Sequence, residues 1–374
     1  YSPVVDFTAS GLYYIRIKRV IIGDSFMKKT LLCCLLILTV IAAAGCSSDD
    51  SNNATGTTVS SATEATERPT GKSYIAKPNF IEDSDVDINN TESQGRFCYS
   101  QLSDKQKLYY EKLRTAVKQQ RSGLYWNNRE CTAQELDDLL NYITYDYPEY
   151  FWFSKENTGA ETINGKLVFR VKFHYEYDAD RVKELQGKLK TVTDKFLKEA
   201  KKLKTDYEKS LYTYEYIINN TKYNQKNATA GYNNFAEMES DRVLACWNIT
   251  GVLLNGDAVC RGYTQAYQYL MNLQGIECAY VVGNSHCWNL TKLDDEWYYT
   301  DVTWGDPFTE GTDPETGEVK YTEDGIDYSY LNMTTEQLLK IHKLDPSFKP
   351  KLPECTATKN SPAAIHRDNA EEQA

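Results

Sequence analysis

Two hydrophobic periods alternate along the middle of the chain. Apolar side chains three and four residues apart recur at Tyr109, Leu113, Ala116 and Val117, then at Leu136, Leu139, Leu140 and Ile143. The same spacing returns at Val182, Leu185, Leu189, Phe196, Ala200 and Leu203, and each stripe predicts a helix with one apolar face. Ser103-x-x-Gln106, Thr132-x-x-Glu135 and Thr205-x-x-Glu208 are capping boxes, in which side chains satisfy the free N–H groups of a first helical turn. Pro148 in "DYPEYFWF" ends one helix by pushing residue 147 out of helical geometry. A period of two takes over at Leu167, Phe169, Val171, Phe173, Tyr175 and Tyr177. It predicts a half-buried strand following a hairpin turn at Asn164-Gly165.

From 244 to 307 the pattern is denser. Tyr263, Ala266, Tyr267 and Leu270 form a helical stripe that begins near Cys260 and stops at Gly275. "IECAYVVGNSHCWNL" reads as an apolar strand, a tight Gly283-Asn284 turn and a second strand opening with His286; "EWYYTDVTWGDP" adds a third strand ending at Asp301. The elements together predict an α+β protein, with a small N-terminal α+β region over 77–178 and a larger domain over 179–345. The stretch 346–374, with "KPKLPE" and "DNAEEQA", reads as a flexible tail.

The N-terminal stretch carries a different message. Met27-Lys28-Lys29 precedes an apolar run from Leu31 to Ala44, a positive segment, a short apolar segment and small residues before Cys46. The run is shorter than the roughly 20 residues a membrane-spanning helix needs. Ala43-Ala44-Gly45-Cys46 resembles the lipobox of bacterial lipoproteins, which implies that 27–45 is a signal peptide and that Cys46 is lipidated. Translation is then expected to start at Met27, leaving 1–26 outside the protein. Residues 46–76 are rich in Ser, Thr and Asn, too polar to order themselves, and read as a tether. The expected location is the cell membrane, lipid-anchored and facing outward.

Charge narrows the partners. The chain has 42 Lys and Arg against 53 Asp and Glu; without residues 1–45 the balance is 37 against 51, a net charge of −14. Such an acidic protein is a poor partner for nucleic acid. Ten cysteines become seven once Cys33, Cys34 and Cys46 are set aside, an odd number that leaves a thiol over in an exported protein. No Cys-x-x-Cys spacing suggests a zinc knot. The acidic stretch 305–328 has oxygen ligands suited to calcium but lacks an EF-hand loop, so neither metal nor cofactor is expected to be required.

One of the seven cysteines sits where chemistry can happen. In "NGDAVCRGYTQAY", Cys260 falls at the start of the predicted helix, where the helix dipole favours a thiolate. A thiol nucleophile also needs a base within hydrogen-bond reach and a group to orient that base. His286 and Asp301 are 15 residues apart, a separation that lets adjacent antiparallel strands hold them side by side. His174 lies on the polar side of its strand, His342 near a helix end and His366 in the tail, so His286 is the expected base. Asp294, Asp295 and Asp306 compete with Asp301 for the orienting role. Trp247 and Asn248 in "ACWNITG" are candidate side-chain donors to an oxyanion, beside the Cys260 backbone N–H.

"NGDAVCRGYTQAYQYLMNLQGIECAYVVG", "SHCWN" and "DEWYYTDVTWGDP" resemble the signature segments of the transglutaminase-like superfamily. "LYTYEYIINNTKYN" resembles the helix that precedes that core. The resemblance implies a papain-like transglutaminase core, a nucleophile helix packed on an antiparallel sheet. It also implies Cys260 as nucleophile, His286 as general base and acid, and Asp301 as orienter. Alanine is commoner than Cys287 after the histidine, and Gly305 replaces a frequent acidic residue. The implied activity is that of a protease, amidase or protein acyltransferase on protein or peptide, cell-wall peptide included. A non-catalytic binding or scaffold module on the same fold is the competing expectation.

Overall fold

Each of the three capping boxes opens a helix. The Ser103 hydroxyl accepts from the Gln106 backbone N–H at 3.4 Å and starts α1 (Asp104–Lys118). Thr132 does the same for Glu135 at 3.1 Å and starts α2 (Ala133–Asp146), which stops before Pro148 as its sequence requires. Thr205 accepts from Glu208 at 3.1 Å ahead of α4 (Asp206–Asn220). Between them α3 (Ala179–Ala200) is capped by Asp178 and buries Val182, Leu185, Leu189, Phe196 and Ala200. The computed structural model describes residues 80–363 apart from 128, 231–240, 313–318 and 324. The leader, Cys46 and the tether therefore lie outside the described residues, as does His366. Among the described residues no helix is long and apolar enough to cross a membrane.

The architecture is mixed α+β, as expected. β1 (Gly123–Asn127), β2 (Phe153–Ile163) and β3 (Lys166–Tyr175) form an antiparallel sheet in the order β1-β3-β2. Asn164 and Gly165, at φ 50° and 74°, make the tight turn between β2 and β3. The alternation along β3 holds in part: Val171 and Phe173 are buried, but Leu167 is exposed. β1 ends opposite Val168, so the hairpin tip at Leu167 projects past the third strand and covers nothing.

A second antiparallel sheet is a meander of β4 (Cys278–Gly283), β5 (His286–Leu293) and β6 (Glu296–Thr300). Its first turn is Asn284-Ser285 rather than Gly283-Asn284, because Gly283 pairs with His286 and the left-handed residue is Ser285 at φ 58°. Gly283 is instead required by close packing, since a Cβ there would lie 2.2 Å from the Trp288 ring and 2.8 Å from the Lys343 carbonyl. α5 (Cys260–Leu273) packs on this sheet. The Thr264 hydroxyl donates to the Cys287 carbonyl at 3.0 Å, and the Asn289 amide donates to the Thr264 carbonyl at 3.0 Å.

After β6 come a short hairpin, β7 (Phe308–Thr312) with β8 (Val319–Glu323), and a helical turn, α6 (Thr335–Leu339). The side chains of 308–324, on which calcium binding turns, lie outside the described residues. Residues 346–363 differ from the expected flexible tail. Thr335 N–H donates to the Cys355 carbonyl at 2.8 Å, the Asn332 amide donates to the Asn360 carbonyl at 2.8 Å, and Cys355 and Asn360 are buried. Charged and polar composition hid this, since these contacts are made by backbone groups that composition does not describe. One hydrophobic core joins both halves of the chain, from Leu113 and Ile143 to Ile217, Tyr263 and Met271.

Candidate active site

Cys260 is the first residue of α5, behind the extended residue Val259. The first helical N–H groups have no partner inside a helix; that of Arg261 points at the Cys260 sulfur. The segment 246–248 runs beside this helix start. Val259 N–H donates to the Cys246 carbonyl at 3.0 Å, and a Cβ at position 262 would lie 2.7 Å from the same oxygen. Gly262 thus lets the helix begin against that segment.

His286 opens β5 and Asp301 follows the last residue of β6, with His286 Nε2 2.7 Å from Asp301 Oδ2. The other oxygen, Oδ1, accepts from the Trp304 backbone N–H at 3.0 Å. The remaining acids are engaged elsewhere: Asp294 with Lys359 at 3.0 Å, Asp295 with Lys292 at 3.3 Å, Asp306 with the Tyr263 hydroxyl at 2.6 Å. Burial would raise the Asp301 carboxyl, but the His286 charge and the hydrogen bonds it receives hold it well below the usual carboxylate range. Burial likewise works against a charged His286; the Asp301 carboxylate outweighs it and raises the imidazole above its ordinary value.

The sequence reading missed a second imidazole. His342 Nε2 lies 2.8 Å from the same Oδ2, so two rings share one carboxylate oxygen. Trp288 stacks on His342 with centroids 4.6 Å apart and planes 10° off parallel, and Trp304 meets it edge-on at 4.3 Å. Nothing near position 342 marks this role, because its partner is 41 residues away in sequence. The three ligand atoms lie within 4.8 Å of one another. Each ring nitrogen meets the oxygen at hydrogen-bond distance, and the same three groups are close enough together that they could hold a metal ion.

Cys287 is the other surprise. Neighbours on a strand face opposite sides, so His286 and Trp288 look one way while Cys287 and Asn289 look toward α5. There Cys287 meets Cys260 and Tyr280 in a small buried cluster. The Cys260 thiol hydrogen-bonds to the Cys287 sulfur, and Tyr280 and Thr264 also donate to it, the Thr264 hydroxyl at 3.4 Å. That hydrogen bond and then burial push the Cys260 thiol up, opposite to the shift expected from its helix end. Burial would raise Cys287 too, but its donors and the nearby His286 bring it down to about 7. All seven cysteines among the described residues are free thiols.

Trp247 and Asn248 are both buried. The Asn248 amide donates to the Leu244 carbonyl at 3.1 Å and its oxygen accepts from Thr250 N–H at 2.8 Å, so both ends of that side chain are engaged locally.

Residues 194–302 match the transglutaminase-like superfamily in sequence, a span that contains Cys260, His286 and Asp301. This part of the chain has the fold of that superfamily. Among solved structures, the crystal structure of a TGase is 15% identical over 52% of this chain and 54% of its own, with a TM-score of 0.30. A putative cysteine protease from Cytophaga hutchinsonii is 14% identical over 46% of this chain and 77% of its own, with a TM-score of 0.24. The chain thus spans about half the length of the first of these structures. No curated protein matches it in sequence.

Proposed function

We propose that this protein is a transglutaminase-like cysteine enzyme acting on amide bonds of proteins or peptides through a thioester on Cys260. The observation that carries the reading is the 2.7 Å contact between His286 and Asp301, with Cys260 at a helix start in the same fold. In the resting arrangement the Cys260 thiol faces Cys287. Catalysis then begins with rotation of that sulfur toward His286, which takes its proton. The thiolate attacks the amide carbonyl, and the Cys260 backbone N–H is the first candidate donor to the oxyanion. Trp247 and Asn248 are the side-chain candidates, and Asn248 must first leave Leu244 to serve. His286 protonates the leaving amine, and Asp301 holds the imidazolium. Release of the acyl group to water is hydrolysis; release to an amine is cross-linking.

Export and a lipid anchor at Cys46 are part of the same proposal, resting on the sequence of residues 27–46 alone. They put the enzyme at the outer face of a membrane, where cell-wall peptide is an available substrate.

The test is alkylation of Cys260 by iodoacetamide near neutral pH, in wild type and in His286→Ala. An activated nucleophile is slowed at least about tenfold by the substitution. Equal rates would favour a non-catalytic binding module on the same fold. Mass spectrometry of a peptide library incubated with the protein, with and without an added amine, reports the bond broken and the bond made.

A further inference from the structure

The fold brings two cysteines together that lie on different elements and 27 positions apart in the sequence. One hydroxyl sits between their backbones: Thr264 Oγ1 lies 2.9 Å from the Cys260 carbonyl and 3.0 Å from the Cys287 carbonyl, and its single proton goes to one of them at a time. Helix start and strand start are therefore held against each other, and the two sulfur-bearing side chains share one buried cluster with Tyr280. A disulfide fails when its Cα atoms are too far apart or its side chains diverge. Here the two side chains meet in one buried cluster.

We propose that Cys260 and Cys287 form a reversible disulfide that switches the enzyme off, made by a hydroperoxide and undone by a small thiol. As a switch on activity it rests on Cys260 being the nucleophile; as a chemical site it stands on the contact alone.

The pair is built for the first step. A thiolate, not a thiol, reacts with peroxide, and Cys287 receives hydrogen bonds from Cys260, Thr264 and Tyr280 that stabilise the charged sulfur. The Cys287 thiolate attacks one peroxide oxygen; the O–O bond breaks, the other oxygen leaves as alkoxide or hydroxide, and Cys287 becomes a sulfenic acid. The Cys260 sulfur then attacks the Cys287 sulfur. The S–S bond forms, the S–O bond breaks, and the departing hydroxide takes the Cys260 proton as water. Two thiols have lost two protons and two electrons, and hydrogen peroxide has taken them up to become two waters. Burial of both cysteines restricts the oxidant to a small one. A reducing thiol reverses the reaction by exchange, returning both cysteines as thiols. The other five described cysteines are internal controls: Cys278, for example, has the Thr291 hydroxyl at 3.5 Å as its sulfur's neighbour.

The experiment treats the full chain with a small excess of hydrogen peroxide, quenches it, and reads intact mass and mapped peptides alongside Cys260 alkylation. The expected result is loss of two hydrogens, a cross-linked pair of peptides holding Cys260 and Cys287, and loss of Cys260 alkylation that a thiol reductant restores. In Cys287→Ala, and in Cys287→Ser should the first variant fold poorly, peroxide instead carries Cys260 to acids that the reductant does not reverse. Two outcomes would overturn the proposal: Cys260 oxidised to sulfinic acid in wild type while Cys287 stays alkylatable, or a cross-link of Cys260 to a different cysteine. The cross-link is read without any turnover. A disulfide in a protein that cleaves or joins no amide sinks the enzyme reading alone; turnover without the disulfide sinks this one alone.

Discussion

The two faces of β5 carry opposite chemistries. Toward one side look His286 and Trp288, gathered with Asp301, His342 and Trp304 into an acid–imidazole cluster walled by indole rings. Toward the other looks Cys287, gathered with Cys260, Tyr280 and Thr264 into a cluster of sulfur and hydroxyl donors. Adjacent residues of one strand thus serve two environments, and the difference is one of which ion each stabilises. The first side holds a carboxylate and favours a charged imidazole; the second places hydrogen-bond donors on the Cys287 sulfur and draws its thiol down. Cys260 lies on the second side, against Cys287 and Tyr280; the function proposed above requires its sulfur to reach His286.

Breaking the first side gives the largest effects. Replacing Cys260 with Ala removes the sulfur and with it all thioester chemistry; turnover of any peptide substrate found in the library screen falls to background. Asp301→Asn leaves both imidazoles without a carboxylate, and the expected fall in kcat is about a thousandfold or more, by analogy with orienting acids in other triads.

The same acid predicts how stability follows pH. The folded Asp301 pKa is depressed, so its contribution is complete above about pH 3.9, the ordinary carboxylate value, and is lost as pH falls toward the folded value. His286 is raised, so its contribution is complete below about pH 6.5 and is lost as pH rises through the folded value. Urea midpoints measured from pH 2.5 to 8 should fall at both ends in wild type and flatten in Asp301→Asn. An unchanged profile in that variant would mean that other groups dominate.

A packing change sharpens the comparison. Gly283→Ala drives a Cβ to 2.2 Å from the Trp288 ring, which is itself stacked on His342. Overpacking of this kind costs about 1–3 kcal/mol, and thermal melting should register it. Because the indole lies on the imidazole side, turnover should suffer while the rate of the Cys260–Cys287 cross-link moves little.

The smallest effect belongs to the sulfur side. Tyr280→Phe removes one hydrogen bond to the Cys287 sulfur, worth about 1 kcal/mol. The rate of peroxide oxidation should drop several-fold, with little change in peptide turnover. A larger change in turnover than in oxidation would show that the two faces are not separable.

Much of this was legible in order of sequence. The capping boxes at Ser103, Thr132 and Thr205, the helix starting at Cys260, the Asn164-Gly165 turn and the Asp301 contact with His286 all follow from residues within one element or one hairpin connection. The sequence points to a turn one residue too early after β4, because glycine marks turns in general, whereas Gly283 lies under an indole.

What the chain determines by itself is local: which residues cap, which alternate, and which three could serve a thiol mechanism. Caps and periods act over a few residues, so they survive in the sequence as spacing. The tertiary structure alone decided that Cys260 rests against Cys287, that His342 joins His286 on one carboxylate oxygen, and that residues up to 363 pack rather than trail. Those choices depend on close packing between elements far apart in the chain, and spacing carries no record of which distant surface a side chain will meet.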